Sequence, residues 1–263
     1  MKIIDSNLIL ELKSYLDDHK EIIIIIGIIL FIVFLYFKDT NKLDKKISVI
    51  ILSYNRPHNL EKSLPILNDY KNIDEILVLH GHPDHYKNFQ FNKVYNFKDY
   101  ELNKKYGAAR RWFHTDKCKN DIILFLDDDL LPSEKLVDNL LNKLLEEYTR
   151  NTIYGKYKRI CNEKGYNSKS NNHYDTILTP VLMTKKSTVS NYLKSDLFKE
   201  YKKWLIKHHG NCEDLGFNMF IRKVYKEKPE YVSGDYEELD KENGYSSMDN
   251  HLKIRNNFCK KYS

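Results

Sequence analysis

Residues 121–134 read DIILFLDDDLLPSE. Five consecutive apolar residues, 122–126, with no polar interruption describe a strand buried on both faces, as in a parallel sheet covered by helices. Asp127, Asp128 and Asp129 follow at once, and Pro132-Ser133-Glu134 then opens a helix whose stripe is Leu136, Leu140, Leu141, Leu144 and Leu145. A strand, a carboxylate-rich turn and a helix in that order put the acids at the carboxyl edge of a sheet, where open α/β sheets bind ligands. An N-cap accounts for one aspartate beside a helix start, not for three in succession.

Working outward, KISVIILSY (46–54) is a second apolar, β-branched run, closed by Asn55-Arg56-Pro57 and followed by a helical stripe of Leu60, Leu64 and Leu67. IDEILVL (73–79) reads as another buried strand, residues 93–96 as a short one, and 102–114 as a helix. Strands alternating with helices give a parallel α/β sheet. The segment 162–172, rich in Asn, Ser and Lys, reads as a loop. In an extended backbone alternate side chains share a face, so Asp127 and Asp129 point one way and Asp128 the other. Two carboxylates on one face suit Mn²⁺ or Mg²⁺, hard cations that complete their shell with water and phosphate oxygens.

The chain has 263 residues, 41% of them hydrophobic and 30% charged, with a formal net charge of +6. That suits one globular domain with a real core, and the mild basicity gives no case for nucleic acid as a partner. Residues 22–37, IIIIIGIILFIVFLYF, carry no charge and are flanked by Lys20-Glu21 and Lys38-Asp39. As a helix they would reach roughly 25 Å, near the hydrocarbon thickness of a thin bilayer. The expected organisation is a short tail (1–21), a transmembrane anchor (22–37), a linker (38–46) and one domain (47–263). Lysines 38, 42, 45 and 46 after the span, against 13 and 20 before it, lean towards a cytosolic domain. Cys118, Cys161, Cys212 and Cys259 form no CxxC pair, so no cysteine zinc site is expected.

Together, SVIILSYNRP, ILVLHG and DIILFLDDDLLPSEKLVDNLL resemble a GT-A nucleotide-sugar glycosyltransferase. YDTILTPVLMTKK (174–186), GNCEDLGFNMFI (210–221) and HLKIR (251–255) are similar, in order, to blocks of the exostosin-type C-terminal (family 64-like) glycosyltransferase domain. The resemblance implies a single GT-A, Rossmann-like domain behind its anchor, in an ER/Golgi-like or other internal membrane. It implies transfer from a UDP-sugar, with Mn²⁺ (or Mg²⁺), to a glycan or glycoconjugate, with retention. Carried onto this chain, it puts Tyr54 and Arg56 near the nucleotide, with His80 at base or ribose. It puts Asp127 and Asp128 on ribose and base or sugar, and Asp129 on the metal, with Asp127 beside it. Arg110 and Asn103 are further nucleotide-side candidates, Arg111 an alternative to Arg110. Asp214 falls at the reacting sugar and Arg255 beside the diphosphate. Asn211 is expected to cap a helix carrying Glu213 and Asp214 in its first turn and Phe217, Phe220, Ile221 and Val224 towards the core. Cys212 and Cys259 stand near the places of a cysteine pair in the family; such a disulfide would put the domain on the lumenal side.

HGHPDH (80–85) carries the H-x-H-x-D-H pattern of zinc hydrolases of the metallo-β-lactamase type. Only one strand and one helix precede the strand that delivers His80, and no further ligands complete the set without arbitrary choices among His173, His208, Asp235 and His251. The zinc hydrolase is the alternative enzyme; a non-catalytic glycan-binding protein on the same fold is the alternative outside enzymes.

Overall fold

The computed structural model describes residues 19–43, 46–169, 173–242 and 250–263 and, within the first helix, the side chains of 19–22 and 24–32. That helix, Lys20–Leu43, and the domain from Lys46 to Ser263 are separate units. Isoleucines 22, 24–26, 28, 29 and 32, with Leu30 and Phe31, are all more than half exposed. Among the described residues no helix is long and apolar enough to cross a membrane. The side chains of 33–37, the end of the expected span, and residues 1–18 of the tail lie outside the description.

The domain is built on β1 (Ile47–Ser53), β2 (Ile73–His80), β3 (Val94–Lys98) and β4 (Ile122–Leu126), the four runs expected as strands. Then come β5 (Leu130–Pro132), β6 (Tyr154–Gly155), β7 (Lys158–Asn162) and β8 (Gly165–Asn167). The last are β9 (Thr176–Ile177), β10 (Val181–Lys185), β11 (Glu230–Tyr231) and β12 (Tyr236–Glu238). The seven-stranded sheet has the order β11-β6-β10-β4-β1-β2-β3. β1 lies parallel to both β2 and β4, whereas β10 runs antiparallel to β4, so the sheet is mixed. From β1 the chain lays β2 and β3 on one side and then crosses to place β4 on the other. The crevice outside the carboxyl ends of β1 and β4 is therefore the switch point of the topology. With Ile51 opposite Leu126, the segments after Ser53 and Leu126 leave the sheet side by side.

Alternation along β1 sends Ile47, Val49 and Ile51 to one face and Ile50 to the other. The first face packs on helices Pro57–Asp69 and Glu134–Glu146, the second on Asp196–Lys207, Glu213–Phe220 and His251–Tyr262. Trp112, fully buried, fills the second face against Phe125, Phe217 and Tyr192. Ser133 Oγ accepts the Leu136 amide at 3.1 Å and so caps the helix that Pro132-Ser133-Glu134 was expected to open.

Several expectations are corrected. The run 102–114 is not one helix: an α-helix, Tyr100–Tyr106, ends at Gly107 and a 3₁₀ run, Gly107–Lys117, follows. Gly107, at φ 49°, is the reason: a Cβ there would lie 1.7 Å from the His209 carbonyl oxygen. Gly210, at φ 81°, is its counterpart, with its Cβ position 2.2 Å from the Tyr106 carbonyl oxygen. Two backbones crossing this closely tie the segment bearing Arg110 and Arg111 to the loop leading into Glu213 and Asp214. Gly210→Ala is expected to cost roughly 2–4 kcal/mol, since a left-handed backbone and an overpacked crossing are both penalised; a urea denaturation midpoint measures it.

The segment read as a loop begins instead with the β7–β8 hairpin; residues 170–172 lie outside the description. The disulfide joins Cys161 to Cys259, not Cys212 to Cys259, while Cys118 and Cys212 are free thiols. The hairpin carries Cys161 to the last helix, a pairing across 98 residues that sequence spacing does not reveal. Val224 is 51% exposed, because the helix gives way to a π-helical turn, Ile221–Tyr225, and rotates that position outward.

Candidate functional site

β4 ends at Leu126, and Asp128 and Asp129 form a turn into β5 rather than continuing an extended strand. The expected alternation survives only in exposure: the Asp127 and Asp129 side chains are 29% and 23% exposed, that of Asp128 6%. Their partners divide differently, because the turn brings Asp128 and Asp129 together. Arg56 donates to both, to Asp129 Oδ2 at 3.2 Å and to Asp128 at closer range. Arg56 stands just beyond β1 and precedes Pro57, which opens its helix at the first position. The Asp240 carbonyl accepts from Arg56 at 3.3 Å and from Asn59 at 2.8 Å, holding the segment after β12 over the crevice.

Asp127 turns to Arg111, whose Nη2 donates to Asp127 Oδ1 at 2.6 Å and lies 4.0 Å from Glu213 Oε1. Thr179 Oγ1 donates to the same Glu213 oxygen at 3.1 Å. Glu213 and Asp214 open the helix Glu213–Phe220 as expected, but its N-cap is Cys212, in the left-handed region at φ 80°, not Asn211. The Asn211 amide is instead 3.4 Å from both the Nδ1 and the carbonyl oxygen of His251. Arg255 Nη2 donates to Asp214 Oδ2 at 2.9 Å, both groups almost wholly buried. The sequence candidates Arg56, Asp127, Asp128, Asp129, Asp214 and Arg255 thus gather in one charged cluster. Arg111, named in the sequence only as the alternative to Arg110, joins it, as does Glu213, which carried no assigned role and whose only signal was adjacency to Asp214.

Other candidates have different surroundings. Arg110, 2% exposed, donates to Asn103 Oδ1 at 2.6 Å and to the carbonyls of Gly107, Ser53 and Leu79. Its Nε is 3.3 Å from Asp99, which also holds His114. Its guanidinium is a buried brace between the ends of β1 and β2, held by backbone carbonyls rather than by the aspartate triplet. Asn103 belongs to the same brace, donating to the Gly81 carbonyl. His80 is 1% exposed, with Nε2 3.0 Å from Asn96 Oδ1 and its ring stacked on Phe89, so it does not face the crevice. Tyr54 is 46% exposed just beyond the end of β1, edge-on to His82. His82 and His85 lie side by side on the surface while His80 points into the fold, so HGHPDH does not converge as a zinc set. Among the described residues no three His, Cys, Asp or Glu side chains gather around one ion.

The cluster's electrostatics bear on a cation. Five carboxylates (Asp127, Asp128, Asp129, Glu213 and Asp214) face three guanidiniums (Arg56, Arg111 and Arg255), a formal excess of two negative charges. Burial, with Asp129 and Asp127 nearby, pushes Asp128 up to about 7 despite Arg56. Burial and then Asp214 push Glu213 up as well, and burial and then Asp127 raise Asp129. Burial is the largest cause of each shift, and the neighbouring carboxylates add to it. Asp127 and Asp129, the exposed members, are oxygen ligands suited to Mn²⁺ or Mg²⁺ with open positions left over, so the donor set fits.

A pH dependence follows. A carboxyl near 4 when unfolded and about 7 when folded binds more protons in the folded state between those values. Its contribution is fully present below about pH 4 and is lost as pH rises to about 7. Metal-free protein is expected to lose about 2 kcal/mol between pH 5 and 7 from this group, and Asp128→Asn to flatten the profile; thermal unfolding across that range checks it.

Comparison with curated proteins finds no match. The sequence does match the family model described as "Glycosyl transferase family 64 domain", over residues 47–263, which takes in the whole sheet and every member of the charged cluster. The chain belongs to the glycosyl transferase family 64 and is a glycosyltransferase.

Proposed function

We propose that the protein transfers a sugar from a UDP-sugar to a hydroxyl of a glycan or glycoconjugate, using Mn²⁺ (or Mg²⁺) at Asp129 and Asp127, with retention. The supporting observation is the carboxylate excess at the β1–β4 switch point, beside the buried Asp214–Arg255 pair. A bound divalent ion would supply Lewis-acid neutralisation of charge on the diphosphate.

The chain's own residues divide the rest. Tyr54, exposed at the end of β1, offers a ring face to the base, and Asp128 with Asp127 offers acceptor oxygens to ribose or sugar hydroxyls. Arg255 and Arg111 donate to phosphate oxygens, guanidinium being a bidentate partner for them. As the bond from the anomeric carbon to phosphate breaks, its electron pair stays on the phosphate oxygen. The acceptor oxygen bonds to that carbon, and its proton passes to the departing phosphate. Asp214 stabilises the positive charge that develops on the sugar, a preorganised electrostatic role.

The helix Lys20–Leu43, with its apolar side chains exposed, supports a single anchor in an ER/Golgi-like or other internal membrane. The Cys161–Cys259 disulfide supports an oxidising, lumenal side for the domain, against the lysine count. A panel of UDP-sugars with Mn²⁺ tests the activity. One donor is expected to release UDP, and EDTA to stop it; release from none, or release indifferent to EDTA, contradicts the reading.

A further inference from the structure

Among the described residues the guanidinium of Arg255 has one carboxylate partner, Asp214, and a buried Nε–H with no hydrogen-bond acceptor. What covers it is an aromatic ring: Tyr166, on β8, has its centroid 4.6 Å from Arg255 Cζ. A cation over a ring face is attracted by the ring quadrupole, most strongly where water is excluded, and Arg255 is 5% exposed. Tyr166 does not belong to the sheet that carries the aspartates. It sits on the β7–β8 hairpin, which is fastened to the last helix at two residues, Cys259 and Asn256.

The Cys161–Cys259 disulfide joins β7 to that helix one turn beyond Arg255. Asn256, next to Arg255, accepts the Tyr166 amide at 3.1 Å. Gly165, at φ 118°, allows the approach, since a Cβ there would lie 2.0 Å from Asn256 Oδ1. Arg222 and Ser263 both donate to the Cys161 carbonyl and hold the hairpin's other edge. The disulfide, the Asn256 hydrogen bond and the Tyr166 ring meet the last helix at Cys259, Asn256 and Arg255, within about one turn of it.

We infer that Tyr166 is a positioning residue: the disulfide-fastened β7–β8 hairpin lays its ring over Arg255 and fixes the guanidinium between Asp214 and the donor diphosphate. This rests on the proposed role of Arg255. The disulfide and the ring act on the same side chain, so their losses overlap rather than add.

Side-chain NMR of Arg255 in the full-length chain tests the placement without any turnover. Its Nε–H resonance, identified by its loss in Arg255→Lys, is expected to be shifted upfield by the ring current. Tyr166→Phe keeps that shift; Tyr166→Ala abolishes it. Affinity for UDP with Mn²⁺ is expected to fall roughly tenfold in Tyr166→Ala and to stay within twofold in Tyr166→Phe. Cys161→Ser is expected to weaken binding in the Tyr166 protein and to change little further in the Tyr166→Ala protein. An Arg255 resonance unmoved by Tyr166→Ala, equal losses in the Phe and Ala variants, or additive losses with Cys161→Ser would overturn the inference. If UDP fails to bind the unaltered protein while the ring-current shift is present, the proposed function falls and the placement of Arg255 by Tyr166 stands.

Discussion

Asp129→Ala is expected to remove Mn²⁺-dependent binding of UDP, weakening it by at least about a hundredfold. Asp129 is one of only two aspartates of the triplet that reach solvent; Asp128, between them, is buried. Its competitor in the metal-free protein is Arg56, 3.2 Å away, already shared with Asp128. Removing Asp129 therefore leaves Arg56 paired and the turn into β5 intact, held by the Leu239 amide on the Asp129 backbone carbonyl at 2.9 Å. Folding should be nearly unaffected while the cation loses a ligand. Titration calorimetry with and without Mn²⁺ separates the two: a variant with unchanged unfolding midpoint and no metal-dependent UDP binding is the expected result.

Asp214→Asn carries the second large effect, and it falls on two observables. On chemistry, an amide replaces the charge that faces the developing positive sugar, and UDP release is expected to drop by roughly 10²–10⁴. On stability, Arg255 is left as a buried cation with no counter-charge. Breaking one partner of a buried pair costs about 3–5 kcal/mol, because the survivor's desolvation is no longer offset. The same logic makes Asp214→Asn with Arg255→Met more stable than Asp214→Asn alone, yet no more active. Denaturation midpoints and UDP-release rates on the three proteins check both halves.

The strands that position this site could be read directly from the sequence, because β1, β2 and β4 are buried on both faces and each carries a run of at least four consecutive apolar residues. Ser133 announced the helix after β5 because a cap acts over three residues. Features set by long-range neighbours were not legible. The 3₁₀ run after Gly107 depends on the backbone of His209 and Gly210, about a hundred residues on. The left-handed Cys212 displaces Asn211 from the cap for the same reason, since the loop must thread that crossing. Cys161 pairs with Cys259 because the β7–β8 hairpin, read as loop, carries it to the last helix. His80 looked available after an apolar run, but Asn96 on the neighbouring strand β3 claims its ring. Arg110 and Arg111 look alike in sequence; successive positions on the 3₁₀ run send one between the ends of β1 and β2 and the other among the carboxylates.

The central claim is that carboxylates at the β1–β4 edge hold a divalent cation against a nucleoside diphosphate. Anomalous diffraction from crystals soaked with Mn²⁺ and UDP tests it most directly. A manganese peak ligated by Asp129 or Asp127, with phosphate oxygens beside Arg111 and Arg255, is the predicted result. No peak there with UDP present, or a peak at His82 and His85 instead, would contradict the account.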